Sequence, residues 1–179
     1  MRQFFFFFIA ALISATLHAE TGCPAHGTAI RFHNVNRNEM IVGVSINHSG
    51  PYEFLVDTGT QVTVVDRSLA AELHLSTMGN APVAGVSLQG EARFAQLDKL
   101  QLGDHAADNQ DVLVYDMKKL QAQGFAIRGL LGEDFLSQYD MLIDNAHKVL
   151  CLYEAGSTRN GMNAVRAALV ARREIPGSK

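Results

Sequence analysis

Short apolar or alternating segments, separated by turn residues, recur through most of the chain, and this spacing limits the possible folds more than any other feature. Strands of this length, bounded by Gly, Pro, Asn and Asp, are typical of mostly-β proteins. We predict strands at 40–47, 52–56, 61–65, 83–102 (two strands around a turn near 87–90), 112–115, 141–144 and 149–153. Eight or so strands with one or two short helices predict a closed or folded-over β-sheet.

Two segments have a helical rather than an alternating pattern. Residues 66–75 place Leu69 and Leu73 on one helical face, and Asp66 or Ser68 can cap the start. Residues 133–139 predict a second short helix with acidic residues at its positive end. We expect no regular structure at 20–38, and a break at 79–82, because glycine and proline interrupt both segments.

The N-terminus has the three parts of a secretory signal. Arg2 supplies a positive charge, residues 4–17 form an uncharged apolar run, and Ala19 stands at a cleavable position. The run is shorter than the roughly 20 residues that a membrane-spanning helix needs. We therefore predict a signal peptide at 1–19 and a periplasmic mature chain with no stable membrane span, with an uncleaved anchor as the alternative. Glu20 argues against lipidation at Cys23, since a lipoprotein signal requires an aliphatic residue there.

Two cysteines, Cys23 and Cys151, are too few for a disulfide scaffold and do not have zinc-site spacing. Export to an oxidising compartment would allow them to pair. A bridge and two separate thiols both remain open at this point. The seven histidines form no metal-ligand pattern, and no Gly-rich phosphate loop is present, so we predict neither a metal nor a cofactor.

The charge distribution bears on partners. The formal net charge of −3 argues against a nucleic-acid-binding protein, which normally carries a basic face. Residues 155–179 differ from the rest, since they contain five basic residues and one acidic residue. This C-terminal tail is either a solvated extension or a partner-binding helix, with Met162, Val165 and Leu169 on one face.

One segment places a carboxylate and two hydroxyl groups directly after an apolar strand: Phe54-Leu55-Val56-Asp57-Thr58-Gly59-Thr60. The strand delivers Asp57 into a tight turn, where Gly59 allows backbone amides to approach and two threonines supply hydroxyls. A carboxylate in such a place is expensive to bury unless it is hydrogen-bonded or shares a proton. The simpler interpretation is an ordinary Asp-Thr-Gly turn at the end of a strand.

A second segment, Gly129-Leu130-Leu131-Gly132-Glu133-Asp134-Phe135-Leu136, follows about seventy residues later. The two motifs, in this order, resemble the single-domain retropepsin-like aspartic proteases, of the bacterial secreted or periplasmic type. The resemblance covers roughly residues 38–154, and we place the domain at 39–154. It implies an acid-protease β-barrel in which the second segment runs beneath the Asp57 turn. It also places a mobile flap at Ser87, Leu88, Gln89 and Gly90.

The resemblance implies a mechanism and an assembly. Two aspartates activate one water for attack on a peptide bond, but the chain contains one Asp-Thr-Gly and no Asp-Ser-Gly. A catalytic pair would therefore require a homodimer, with Asp57 of each protomer at the twofold axis. The implied supporting residues are Thr58, Gly59, Thr60, Leu130, Leu131 and Gly132. The alternatives are a non-catalytic protein that binds extended peptides and a structural envelope protein with the same fold.

Overall fold

The computed structural model describes residue 23 and residues 27–35, 39–84 and 89–157. Strands dominate this part of the chain. The strands are β1 (Thr28–Arg31), β2 (His33–Val35), β3 (Glu39–Ile46), β4 (Ser49–Val56), β5 (Val64–Asp66), β6 (Thr77–Ala84), β7 (Gln89–Leu102), β8 (His105–Tyr115), β9 (Gly129–Leu131), β10 (Tyr139–Asp144) and β11 (Val149–Glu154). The helices are α1 (Arg67–Glu72), α2 (Lys118–Gln121) and α3 (Glu133–Leu136).

Eight strands form one sheet in the order β2-β3-β4-β9-β5-β8-β7-β6. The sheet folds over, because β3 also pairs with β7 through Ser45 with Gln101 and Ile46 with Leu100. This pairing joins two distant parts of the sheet, while β2 and β6 remain at its ends. The predicted fold class, a folded-over β-barrel with short helices, is confirmed.

The other three strands form a smaller sheet in the order β1-β11-β10. Alternate residues of the central strand β11 serve its two faces, as strand geometry requires. Leu150 and Leu152 enter the main core, whereas Val149, Cys151 and Tyr153 form a separate cluster against Cys23. Cys23 and Cys151 are joined by a disulfide. The bridge left open by the sequence is therefore present, and it fastens residue 23 to the outer face of this sheet.

The main core lies inside the folded-over sheet and contains large apolar side chains from the strands, including Phe54, Leu97 and Leu131, together with Phe135 of α3. A second cluster, which includes Ile41, Val64 and Leu130, lies on the other side of β9. Strand β9 is thus apolar on both faces because it is buried between two layers. Such a strand is a rigid support for whatever lies beside it.

Helix α1 begins as its sequence predicts. The Asp66 carboxylate accepts a hydrogen bond from the Ser68 backbone N–H at 3.0 Å, which satisfies one of the free amides at the helix start. The same carboxylate accepts a bond of 3.0 Å from the backbone N–H of Met117. Asp66 is nearly fully buried, so these bonds compensate for its loss of water.

Three expectations were wrong. Residues 28–35 are not irregular but form β1 and β2, because β1 pairs along its whole length with β11, more than a hundred residues away. Residues 79–82 do not break the chain, since β6 passes through Gly79 with a register shift between Met78 and Ala81. A third short helix, α2, joins the predicted two.

The predicted signal peptide at 1–19 and most of the predicted tail at 155–179 lie outside the described residues. None of the three short helices in the described ranges has the length and apolar character needed to cross a membrane.

Candidate active site

Asp57 lies in a tight turn directly after β4. Its backbone N–H donates to the Leu131 carbonyl at 3.0 Å, and the Thr60 N–H donates to the Asp57 carbonyl at 3.2 Å. Its carboxylate accepts one bond from the Gly59 N–H at 2.9 Å and one from the Thr60 hydroxyl at 2.7 Å. A Cβ at residue 59 would lie 3.2 Å from the first of these oxygens, so glycine allows the close approach. Each carboxylate oxygen therefore has a fixed donor within the turn itself.

Strand β9 supports this turn from below. It pairs in parallel with β4 and antiparallel with β5, the two strands that enter and leave the Asp57 loop. Gly129 of β9 and Gly132, directly after it, have no room for a side chain. A Cβ at Gly129 would clash with the Phe54 ring and the Val64 carbonyl, and one at Gly132 would lie 2.8 Å from the Thr63 nitrogen. The loop and β9 are consequently packed backbone against backbone.

The start of α3 fastens the far side of the loop. The backbone N–H of Glu133 donates to the Thr60 carbonyl at 2.8 Å, and that of Asp134 donates to the Gln61 carbonyl at 3.1 Å. The Asp134 carboxylate accepts bonds from both the N–H and the hydroxyl of Thr63, at 2.9 and 2.7 Å. These bonds make the Asp57 loop and α3 one rigid unit.

Sequence reasoning missed Asp134 and Thr63. Thr63 is fully buried, and its hydroxyl also accepts the Gly132 N–H at 3.1 Å. Gln110 of β8 donates a further bond of 2.9 Å to Asp134. The only signal was an acidic residue in the first turn of a predicted helix, which was interpreted as a partner of the helix dipole. The partner across the loop, 71 residues away in sequence, could not be read from that local pattern.

An open cleft of about 390 Å³ lies against the Asp57 turn. Asp57 is half-buried and Thr58 is exposed, so both side chains face a space that other molecules can reach. The cleft is lined by Glu39, Met40, Leu55, Val56, Asp57, Thr58, Met141, Ile143 and Leu150. Its acidic groups are the carboxylates of Asp57 and Glu39, and most of the remaining lining is apolar.

The structure brings most of the predicted site residues together. Gly59 and Thr60 hold the Asp57 carboxylate, while Leu131 and Gly132 lie next to the loop backbone. Leu130 belongs to the second cluster on the opposite side of β9. The two leucines therefore support the loop through packing, not through contact with the cleft.

The predicted flap is described in part. Strands β6 and β7 form a long hairpin, and its last described pairs are Val83 with Gly90 and Ala84 with Gln89. Ser87 and Leu88 lie outside the described residues. A hairpin is therefore present where the flap was predicted, and the role of its tip stays a prediction.

Comparison with known proteins gives a family match. A sequence model of the family described as Aspartyl protease matches residues 42–135, which span more than half of the chain. The matched range includes the Asp57 turn, β9 and the start of α3. No curated protein matches the chain at a significant level.

Solved structures give weaker likenesses. A retropepsin-like aspartic protease from Rickettsia conorii is 20% identical, with a TM-score of 0.48 over 69% of this chain and 87% of that one. EIAV protease complexed with the inhibitor HBY-793 is 20% identical, with a TM-score of 0.42 over 59% and 90%. The retroviral protease-like domain of Ddi1 from Leishmania major is 18% identical, with a TM-score of 0.43 over 68% and 91%. With all three TM-scores below 0.5, nothing about this chain's chemistry follows from them.

Proposed function

Because the chain belongs to the aspartyl protease family, we propose that it is an aspartic endopeptidase whose catalytic group is Asp57. The observation that carries the proposal is the surroundings of the Asp57 carboxylate. It is held by the Gly59 amide and the Thr60 hydroxyl, and it borders an open cleft. A turn with a purely structural aspartate has no need of an accessible space beside it.

The proposed chemistry requires two carboxylates. Two such groups about 3 Å apart cannot both ionise, so they share one proton and titrate as a pair. The ionised member takes a proton from a water molecule, whose oxygen attacks the peptide carbonyl carbon. The protonated member gives its proton to the carbonyl oxygen. The tetrahedral species then breaks at the C–N bond, with a proton passing to the leaving nitrogen, and no covalent enzyme intermediate forms.

The second carboxylate would be Asp57 of another copy of the chain. A twofold axis through the pair makes the two turns equivalent. The turn must therefore be accessible at the surface of an isolated protomer. The exposure of Thr58, directly beside Asp57, supports this arrangement. In the dimer we expect Thr58 to hydrogen-bond across the axis, while Gly59 and Thr60 hold the carboxylate within each protomer.

The substrate would be a peptide segment in extended form, lying between the Asp57 pair and the β6–β7 hairpin. Closure of the hairpin tip over the peptide would exclude water other than the attacking molecule and position the scissile bond. We place the protein in an oxidising compartment outside the cytoplasm, as the Cys23–Cys151 disulfide supports.

The direct test compares peptide cleavage by the wild type, Asp57→Asn and Asp104→Asn. Asp104 lies in an exposed turn between β7 and β8, so it controls for the loss of one acidic group. Assays at acid and neutral pH should show cleavage by the wild type and by Asp104→Asn, and a loss of at least about 1000-fold in Asp57→Asn. Equal cleavage by all three chains would rule out the assignment. Peptide binding without cleavage by the wild type would favour the non-catalytic binding protein.

A further inference from the structure

The small sheet, β1-β11-β10, is joined to the rest of the fold mainly by side-chain packing. Among the described residues, no strand of this sheet pairs with a strand of the eight-stranded sheet. Its links to the main core are apolar side chains, chiefly Ile30 of β1 and Leu150 and Leu152 of β11. The small sheet can therefore open without breaking the hydrogen-bonded strands that hold the Asp57 loop.

The Cys23–Cys151 disulfide closes the outer face of this sheet. Val149, Cys151 and Tyr153 are buried on that face, although it points away from the main core. Cys23 packs against this cluster, and a Cβ at Gly27 would clash with the Tyr153 ring. The bridge joins residues 128 positions apart in sequence, so it ties the segment before β1 to the last described strand. Opening the bridge would release residue 23 and uncover this apolar face.

The opposite face of the same strand borders the cleft beside Asp57. Alternation along β11 sends the Cys151 side chain outward and that of its neighbour Leu150 inward. Leu150 lines the cleft together with Met141 and Ile143 of β10. One wall of the cleft is thus the inner face of the sheet whose outer face the disulfide holds. A change at the bridge reaches the site through a single strand.

The bridge can be attacked from one side. Cys151 is 3% exposed, whereas Cys23 is only partly buried, so an incoming thiolate meets the Cys23 sulfur first. With a dithiol reductant, one thiolate bonds to the Cys23 sulfur, and the electron pair of the broken S–S bond passes to the Cys151 sulfur, which takes a proton. The second thiol of the reductant then displaces Cys23 as a free thiol. The bridge is reduced to two thiols, and the dithiol is oxidised to a disulfide.

We propose that the Cys23–Cys151 bridge is a redox switch on the Asp57 site. When closed, it holds the cleft wall formed by β10 and β11; when opened by a dithiol, it releases the small sheet and lowers peptide cleavage while the main sheet stays folded. This inference rests on the proposed function, because the switched activity is the cleavage assigned to Asp57. The chain would be inactive in a reducing compartment and would become active where the bridge can form.

The test measures peptide cleavage and amide hydrogen exchange for the wild type as oxidised, after reduction with dithiothreitol, and after reoxidation with oxidised glutathione. Cys23→Ser is the control, since the chain contains two cysteines and this variant cannot form the bridge. We expect reduction to lower cleavage by the wild type at least about 10-fold, because the cleft wall no longer positions the peptide, and reoxidation to restore it. Cys23→Ser should cleave at the low rate under all three conditions. Exchange should become fast in β1, β10 and β11 and stay slow in β4, β5 and β9.

The outcomes separate the switch from the proposed function. Cleavage that falls on reduction and returns on reoxidation, with exchange changing in the small sheet alone, supports the switch. A reduced wild type or a Cys23→Ser chain that cleaves as fast as the oxidised wild type overturns the switch and leaves the protease proposal intact. Fast exchange in the main sheet after reduction also overturns the switch, because the bridge would then hold the whole fold. An oxidised wild type that cleaves no peptide refutes the proposed function, and the switch with it. Reduction acts on the folded wild type, so the test does not depend on whether the variant folds.

Discussion

The Asp57 loop and the β10 edge lie on the same cleft but are built in opposite ways. The loop is tied to β9 and α3 by backbone hydrogen bonds from Asp57, Glu133 and Asp134. The space beside Gly129 and Gly132 is too small for a side chain. The edge has a partner strand on one side and exposes large apolar side chains on both faces. The loop is held by contacts within the protomer, whereas no described strand lies on the outer side of β10. Substitutions in the loop should therefore cost more stability than substitutions on the exposed edge.

The largest effect on stability is expected at Gly132. In Gly132→Ala the new Cβ would lie within 2.9 Å of backbone atoms of Thr60, Val62 and Thr63, which cannot move without displacing the loop. We expect unfolding in urea to show a loss of about 3 kcal/mol. Gly124→Ala is the control, since its Cβ meets nothing within 4 Å and only its positive φ of 94° is unfavourable. A Gly132→Ala chain no less stable than Gly124→Ala would contradict the close packing of loop and strand.

A smaller effect is expected at Asp134. Asp134→Ala removes the acceptor of both Thr63 donors and of Gln110, and it leaves polar groups of a fully buried threonine without that partner. We expect a loss of about 2–3 kcal/mol, with peptide cleavage reduced because the Asp57 loop is less firmly held. Glu133→Ala, one residue earlier and exposed, should cost less than about 1 kcal/mol. Equal losses in the two variants would show that Asp134 acts only through the helix dipole.

The smallest effect concerns the last residue of β10. The His147 side chain hydrogen-bonds to the Asp144 carboxylate at 2.7 Å, and this bond, with the His147 backbone N–H, lowers the pKa of Asp144 from its ordinary value of 3.8. Because the pKa of Asp144 is lower in the folded state, its ionisation stabilises the folded protein at pH values above the unfolded-state pKa. This contribution is lost as the pH falls through the folded-state pKa. An NMR titration should place the Asp144 midpoint below 3.8 and return it towards 3.8 in His147→Ala. An unchanged midpoint in that variant would assign the shift to another cause.

The sequence predicted the loop far better than it predicted the edge. The residues that make the loop are local: an apolar strand, Asp57, a glycine and a hydroxyl within four positions, so both bonds to the carboxylate follow from the motif. That residues 129–132 run beneath the loop was implied by the resemblance to retropepsin-like proteases, and the strand β9 itself was not predicted. The bonds from Asp134 to Thr63 were not predictable, because an acidic residue in the first turn of a helix is favourable without any partner across a loop.

The small sheet shows why the remainder was not predictable. Strand β1 has four residues, too few for alternation to be recognised, and it exists because β11 pairs with it. The apolar segment of β10 was predicted as a strand, but its sequence resembles that of a buried strand. Only the sheet order shows that β10 is an edge among the strands that the structure describes. An apolar strand at an edge and one in the interior can have the same residue pattern, so sequence alone cannot distinguish them.

The central claim, that two copies of Asp57 form one catalytic site, is tested most directly by mixing chains. Wild type at fixed concentration is combined with increasing amounts of Asp57→Asn, and peptide cleavage is measured after the chains have exchanged. If the site requires both aspartates, equal amounts should leave about half of the activity per wild-type chain, and a large excess should abolish it. Cleavage that is unchanged at every ratio would show that one Asp57 is sufficient and would contradict the account.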